Sequence, residues 1–261
     1  MKKRLAAHAA ALILAAMPLL AQQAAAPAGP HPKSQKELEA LQKVQAAQQS
    51  KDWDAELAAI TNVLENFANT DFKIQLLNMA MGAAQQKNDL PQIVTWGERL
   101  MEADPNDISS RVTLAEATAQ HTRDNDLDKA QSIQKINDYA HKAQQLLTAA
   151  TKPPEGMPEA EWPTYKKQLT SQTYDALAQA AALDKKYPEA IANYKQAIEA
   201  DPSTSAVSVA RMAKAYFEAK QYDEAISTAD KVLAMNEASP AVKTFAQQQK
   251  DNATKMKGGA K

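Results

Sequence analysis

The chain has 261 residues, with 30 lysine and arginine residues against 31 aspartate and glutamate residues, and it has no cysteine. A formal net charge of −1, with both signs mixed along the chain, argues against a nucleic-acid-binding surface, and the lack of cysteine excludes a disulfide framework. Because there are only 6 glycines and β-branched runs are nearly absent, we expect an all-α fold without strands.

The N-terminus has the pattern of a secretory signal peptide over residues 1–21. Three basic residues at positions 2–4 precede an apolar run that leads to Ala21, where we expect cleavage. Cleavage removes three positive charges and changes the net charge from −1 to −4. The pattern predicts an exported protein, periplasmic or extracellular, that is not an integral membrane protein after cleavage. An uncleaved N-terminal anchor is the alternative. Residues 22–33, rich in alanine and proline, are predicted to form a flexible leader.

Residues 34–150 are predicted to form degenerate helical hairpins. The first begins at Ser34, a predicted N-cap, and has Glu56 at a position where a small residue is expected. The second ends in Asp104-Pro105. In the third, one apolar stripe continues far enough to predict a long helix over 127–149.

A proline-rich loop is predicted over 151–162, and the next helix is expected to begin by Pro163. The sequence from 163 to 239 contains one pattern twice. Tyr187 and Ala190 of the first copy align with Tyr222 and Ala225 of the second. An apolar stripe at helical spacing lies upstream of each alanine, so each copy predicts two amphipathic helices joined by a tight turn.

This pattern resembles the tetratricopeptide repeat, a unit of two helices and about 34 residues. Small residues stand at Ala178, Ala190 and Ala197, where the two helices of such a unit touch, and Asp201-Pro202 closes the first copy. The second copy departs from the pattern because Ala229 replaces a large residue. The resemblance implies an α–α superhelix, a tetratricopeptide-like solenoid of about five hairpins.

The C-terminal end is predicted to close this stack of hairpins. Residues 240–256 carry apolar side chains on one face and glutamines on the other, which is typical of a capping helix. Residues 257–261 are predicted to form a disordered tail.

No constellation of reactive residues is evident in the sequence. His31, His121 and His141 have no metal-binding spacing, and there is no cysteine nucleophile or glycine-rich phosphate loop. Acidic pairs at helix starts are explained by capping. We therefore predict no catalytic residue, cofactor or metal, and a protein that is not an enzyme.

The resemblance implies a concave groove, lined by the first helix of each hairpin, that binds a peptide or protein segment of unknown identity. Arg211 and Lys214, one turn apart, are suited to hold a partner's carboxylate. The groove positions carried over from the family are Gln75, Asn78, Gln85, Glu116, Gln120, Gln172, Asp175, Gln179, Arg211, Lys214 and Phe217. Such a lining is rich in amides, which donate and accept hydrogen bonds.

The function favoured by these patterns is an exported, non-catalytic scaffold for protein–protein interaction. A structural or assembly protein is a second hypothesis, in which self-association occurs through the long helix and the proline-rich loop. A helical periplasmic enzyme or carbohydrate-binding protein is a third hypothesis, which would require a deep pocket with buried carboxylates of perturbed pKa.

Overall fold

Eleven α-helices and no strand are present in the computed structural model, which describes residues 29–154, 156–204 and 206–259. The predicted signal segment 1–21, and the predicted leader up to residue 28, lie outside the described residues. The expectation of an all-α fold is confirmed for the described part of the chain.

The chain divides into two units, residues 1–110 and 111–261. The helices of unit 1 are α1 (Gln35–Ser50), α2 (Trp53–Asn66), α3 (Lys73–Gln86) and α4 (Leu90–Ala103). Helices α1 and α2 form the first hairpin, α3 and α4 form the second, and α2 packs against α3. Leu41, Ile60, Leu76 and Leu100 are at most 2% exposed and belong to the core of this unit.

Unit 2 contains the remaining hairpins and a terminal helix. The helices are α5 (Ile108–His121), α6 (Lys129–Ala149), α7 (Trp162–Leu183), α8 (Tyr187–Ala200), α9 (Ala206–Glu218), α10 (Tyr222–Ala234) and α11 (Pro240–Gly259), with a short 3-10 helix (Pro202–Thr204) after α8. Helix α5 enters unit 2 at Arg111. In this unit α6 packs against α7, α7 against α8, α8 against α9, and α11 against both α9 and α10.

In four hairpins, the turn after the first helix has the same backbone conformation and the same hydrogen bond. The residue after the last turn takes a left-handed conformation, and the next N–H donates back to a carbonyl five residues earlier. In the fourth hairpin the Lys186 N–H donates to the Ala181 carbonyl at 2.9 Å. The left-handed residues are Lys51, Asn88, Lys185 and Lys220, with φ of 57°, 54°, 60° and 61°. None is glycine, so these turns hold some conformational strain.

Small residues occupy matching contacts in the fourth hairpin (α7, α8) and the fifth (α9, α10). Ala178 and Ala190 are fully buried in the fourth, and Ala213 and Ala225 are fully buried in the fifth. A buried methyl group lets two helix axes approach closely. The predicted equivalence of Ala190 and Ala225 is confirmed, and Ala178 and Ala213 are a second matching pair.

The bounds of two helices differ from the prediction. Helix α6 begins at Lys129 rather than at 127, and the Leu127 side chain is fully exposed. Helix α11 continues through residues 257–259, which were predicted to be part of a disordered tail. That prediction is wrong for these residues. Nothing breaks the helix before Gly258, and Lys257 pairs with Asp223 of α10. A lysine near a helix C-terminus also interacts favourably with the helix dipole.

The last residues of the predicted leader contact the loop between α2 and α3. The Lys33 Nζ lies 2.7 Å from an Asp71 carboxylate oxygen, and the His31 Nδ1 lies 3.4 Å from the other oxygen. The side chain of Ser34 accepts the Glu37 N–H at 3.1 Å, as expected for the N-cap of α1.

Candidate partner-binding face

A polar cluster joins the first helices of successive hairpins in unit 2. At its centre is Asp175 of α7, whose side chain is 11% exposed. One carboxylate oxygen accepts the Ser208 hydroxyl at 2.5 Å. The other accepts an Arg211 guanidinium N–H at 2.8 Å and the Gln179 side-chain amide at 2.8 Å. These hydrogen bonds satisfy both oxygens of a buried carboxylate and connect α7 to α9.

Small buried residues flank the polar cluster in the sequence. Ala176 and Ala178 on α7, and Ala210 on α9, are at most 2% exposed. Among them, Asp175 reaches Ser208 and Arg211 directly. An isolated buried carboxylate would be costly, so the guanidinium is an essential partner rather than an optional one.

Glu116 brings α5 into the same cluster. The pKa of its carboxyl group is raised to about 8, mainly by burial and also by the Asp175 charge, while the Arg211 charge opposes the increase. Glu116 therefore carries a proton at neutral pH. The pKa of the Tyr194 hydroxyl on α8 is also raised, mainly by burial. The Asp175 charge adds to this increase and the Arg211 charge opposes it. The cluster thus combines one ion pair with two groups that stay neutral.

Helical spacing extends the cluster into a continuous face. Side chains three or four residues apart lie on the same side of a helix. Gln120 is four residues after Glu116, Gln172 is three before Asp175, and Lys214 is three after Arg211. We call this set of side chains the polar face. It consists of Glu116 and Gln120 on α5, Gln172, Asp175 and Gln179 on α7, and Arg211 and Lys214 on α9.

The polar face has both buried and accessible members. Gln120 and Lys214 are exposed, and Glu116 and Gln172 are partly exposed. Arg211 was expected to hold a partner's carboxylate together with Lys214, but the structure pairs it with Asp175 inside the chain. The exposed cation of the predicted pair is therefore Lys214.

Other predicted groove residues lie elsewhere. Phe217 is partly buried against the apolar cluster of the last hairpins, and its ring lies 6.0 Å from the Tyr222 ring. Gln75, Asn78 and Gln85 are on α3 of unit 1. Gln75 and Gln85 are exposed, and the Asn78 amide donates to the Ile74 carbonyl at 3.1 Å.

Ser208 and Tyr194 are members of the cluster that sequence reasoning missed. Ser208 precedes Arg211 by three residues, so helical spacing contained the signal for it. Tyr194 is 2% exposed and belongs to the apolar core of the last hairpins. Its electrostatic contact with Asp175 and Arg211 depends on the packing of α8 and has no counterpart in the spacing of the sequence.

Within residues 29–154, 156–204 and 206–259, no three histidine or acidic side chains are placed together to hold a metal ion. Among the helices of that same part of the chain, none combines the length and the apolar character needed to cross a membrane.

Comparison with known proteins supports the class of fold. The family model described as tetratricopeptide repeat matches residues 176–248. The structure is similar to TTC0263, a thermophilic TPR protein in Thermus thermophilus, with a TM-score of 0.53, 13% identity, and coverage of 82% of this chain and 98% of that one. It is also similar to MamA protein, with a TM-score of 0.56, 15% identity, and coverage of 76% and 90%. No curated protein sequence matches the chain.

Residues 176–248 therefore match the tetratricopeptide repeat, and the described helices have an all-α helical-repeat fold similar to that of a tetratricopeptide repeat protein. A fold of this class is a scaffold for protein–protein interaction, and it implies protein partners.

Proposed function

We propose that the mature chain is an exported, non-catalytic scaffold that binds a peptide or protein segment on the polar face of unit 2. The observation that carries this proposal is the Asp175 cluster. Its hydrogen bonds connect α7 to α9, and Glu116 of α5 interacts electrostatically with Asp175 and Arg211. Three successive first helices thus direct polar side chains to one face. A rigid, pre-ordered surface loses little conformational entropy when it binds a partner.

The chemistry of the polar face suits an extended backbone. The side-chain amides of Gln120 and Gln172 donate and accept hydrogen bonds, as does the backbone of a bound segment. Lys214 adds one exposed positive charge. Export is proposed on a separate basis, the signal-peptide pattern of residues 1–21, and places the scaffold in the periplasm or outside the cell.

Crosslinking in cells, followed by purification of the chain and identification of attached proteins, tests this proposal. The Lys214→Glu variant is expected to lose the partner, because it reverses the accessible charge of the polar face. Lys231→Glu on α10, a second helix, is the matched control and is expected to retain the partner. Arg211 is unsuitable for reversal, since a glutamate there would place a second carboxylate against Asp175. Capture that is equal in both variants, or no reproducible partner at all, would contradict the proposal.

Self-association is a second candidate function, and the exposure of an apolar residue beside α6 favours it. Leu127 lies just before that long helix with its side chain fully exposed. Sedimentation of the purified mature chain and of Leu127→Ser distinguishes the two functions. A stable oligomer that dissociates in Leu127→Ser would favour assembly, and a monomer would favour recruitment of a separate partner.

The enzyme or carbohydrate-binding hypothesis requires a buried carboxylate of perturbed pKa within a deep pocket. Glu116 has the raised pKa that such a site would need. However, the surface depressions beside α11 and beside residues 32–38 do not include Glu116. We therefore favour a binding role for the Glu116 region.

A further inference from the structure

Glu56 occupies a position at which the last two hairpins bury an alanine. Helices α2, α8 and α10 begin at Trp53, Tyr187 and Tyr222, and the fourth residue of each is Glu56, Ala190 and Ala225. Ala190 and Ala225 are fully buried, and Glu56 is only 2% exposed. The first hairpin therefore buries a carboxyl group where the fourth and fifth hairpins bury a methyl group.

The surroundings of Glu56 do not compensate for this burial. Its Oε2 atom is inaccessible to solvent and has no hydrogen-bond partner among the described residues. Helices α1 and α3 pack against α2. Near the start of α2, Lys51 is exposed, Lys87 pairs with Asp54, and the Asp52 carboxylate accepts the Ala55 N–H. Burial is the cause that raises the pKa of Glu56 to about 7, and no neighbouring charge contributes.

We propose that Glu56 is a pH-sensitive latch for the first hairpin. Its protonated carboxyl allows α2 to pack against α1 and α3, and its ionisation loosens that packing. The proposal concerns unit 1 alone and does not depend on the polar face of unit 2. It makes the N-terminal hairpin of the chain tighter in acid and looser at neutral pH.

The direction follows from proton linkage. Below pH 4.5 the carboxyl is protonated in both the packed and the open hairpin, so the full stability is present. As the pH rises from 4.5 to about 7, the open hairpin ionises first and is favoured by up to about tenfold per pH unit. Above about pH 7 the packed hairpin is ionised too, and the loss is complete.

Glu37 is the other buried carboxyl of unit 1, and the experiment must separate the two. It lies in the first turn of α1, where its Oε2 accepts the Lys33 N–H at 2.7 Å and its Oε1 has no partner among the described residues. Since Glu37 is unchanged in a Glu56 variant, any pH dependence that Glu37 causes will persist there. The comparison of variants therefore isolates Glu56.

Hydrogen exchange of the full mature chain tests the latch. The amide protection of α2, corrected for intrinsic exchange, is measured from pH 4.5 to 7.5 in the wild type, Glu56→Gln and Glu56→Ala. Glu65→Gln, an exposed position on the same helix, is the control. We expect wild-type protection of α2 to fall at least about tenfold over this range, in line with local opening driven by ionisation.

The variants decide between outcomes. Both Glu56 variants are expected to show a nearly flat protection profile, and Glu65→Gln should follow the wild type. If Glu56→Gln does not fold, Glu56→Ala still applies, because alanine is the residue that the fourth and fifth hairpins tolerate. Wild-type protection that does not change with pH, or a Glu56 variant that keeps the full wild-type dependence, would overturn the proposal.

Discussion

Asp175 holds Arg211 of the following hairpin at 2.8 Å, and this ion pair links α7 to α9 inside unit 2. The same carboxylate accepts Ser208, so a single side chain connects the first helices of two repeats by both charge and neutral hydrogen bonds. The polar face depends on this connection, because Gln172, Gln179 and Lys214 are positioned by the two helices that it joins.

Removal of the guanidinium should therefore destabilise unit 2. In Arg211→Ala, Asp175 stays buried without its charged partner, and we expect a loss of about 1–3 kcal/mol in the free energy of unfolding. The lower part of that range applies because the Arg211 side chain is 31% exposed. Urea denaturation measures the loss, and Lys214→Ala, an exposed change one turn away, should stay within about 0.5 kcal/mol of the wild type. Equal effects of the two variants would show that the pair does not hold the helices together.

The left-handed turn residues predict a stabilising substitution. Lys185 has φ of 60°, a conformation that a lysine adopts only with strain and that glycine adopts freely. We expect Lys185→Gly to raise the free energy of unfolding by about 0.5–1 kcal/mol, after allowance for the extra freedom of glycine in the unfolded chain. The neighbouring Lys186 has φ of −83°, so Lys186→Gly should bring no gain. A destabilised Lys185→Gly variant would contradict the strain interpretation.

The buried alanines predict intolerance of a larger side chain. Ala190 is fully buried at a helix contact, whereas Ala192, on the same helix, is exposed. Ala190→Val should cost about 1–3 kcal/mol because the contact has no room for two more methyl groups. Ala192→Val should cost only the small difference in helix propensity, about 0.5 kcal/mol. Thermal unfolding of both variants checks this, and similar melting temperatures would argue against close helix approach at Ala190.

Glu116 predicts a pH dependence in unit 2. Its pKa is raised from 4.5 to about 8, so the stability that the neutral carboxyl provides is fully present below pH 4.5 and is lost as the pH rises to 8. Between pH 5 and pH 8 the wild type should lose at least about 1 kcal/mol more than Glu116→Gln. Urea denaturation at both pH values measures this difference. The same loss in both proteins would show that the Glu116 carboxyl does not cause this pH dependence.

Much of the fold could be predicted because the features that define each hairpin are short-range and recur in the sequence. Ala178, Ala190 and the turn after Ala181 recur in the next hairpin, and each is a consequence of short-range packing or backbone geometry. The start of α6 was less predictable. Leu127 continues the apolar period, but the chain there is a turn that leaves this side chain in solvent. Periodicity alone cannot distinguish an apolar residue in a helix from one just before it.

The candidate site was only partly predictable for a different reason. The positions of Glu116, Asp175 and Arg211 on first helices follow from the repeat register, and the structure brings these three together. That Arg211 is bound within the chain, and that Glu116 is neutral, depends on distances between helices. Register gives the side of a helix on which a residue lies but not the distance to its neighbour. The burial of Glu56 was missed in the same way, since its position only indicated an irregular repeat.

The most direct test of the central claim is site-specific photo-crosslinking in cells. A photoreactive residue is placed at Gln172 on the polar face, or at the exposed Gln196 on α8, which is a second helix. The proposed binding mode predicts that the same protein partner is attached at position 172 and not at position 196. Attachment only at position 196, equal attachment at both, or none at either while the protein is folded and exported, would contradict it.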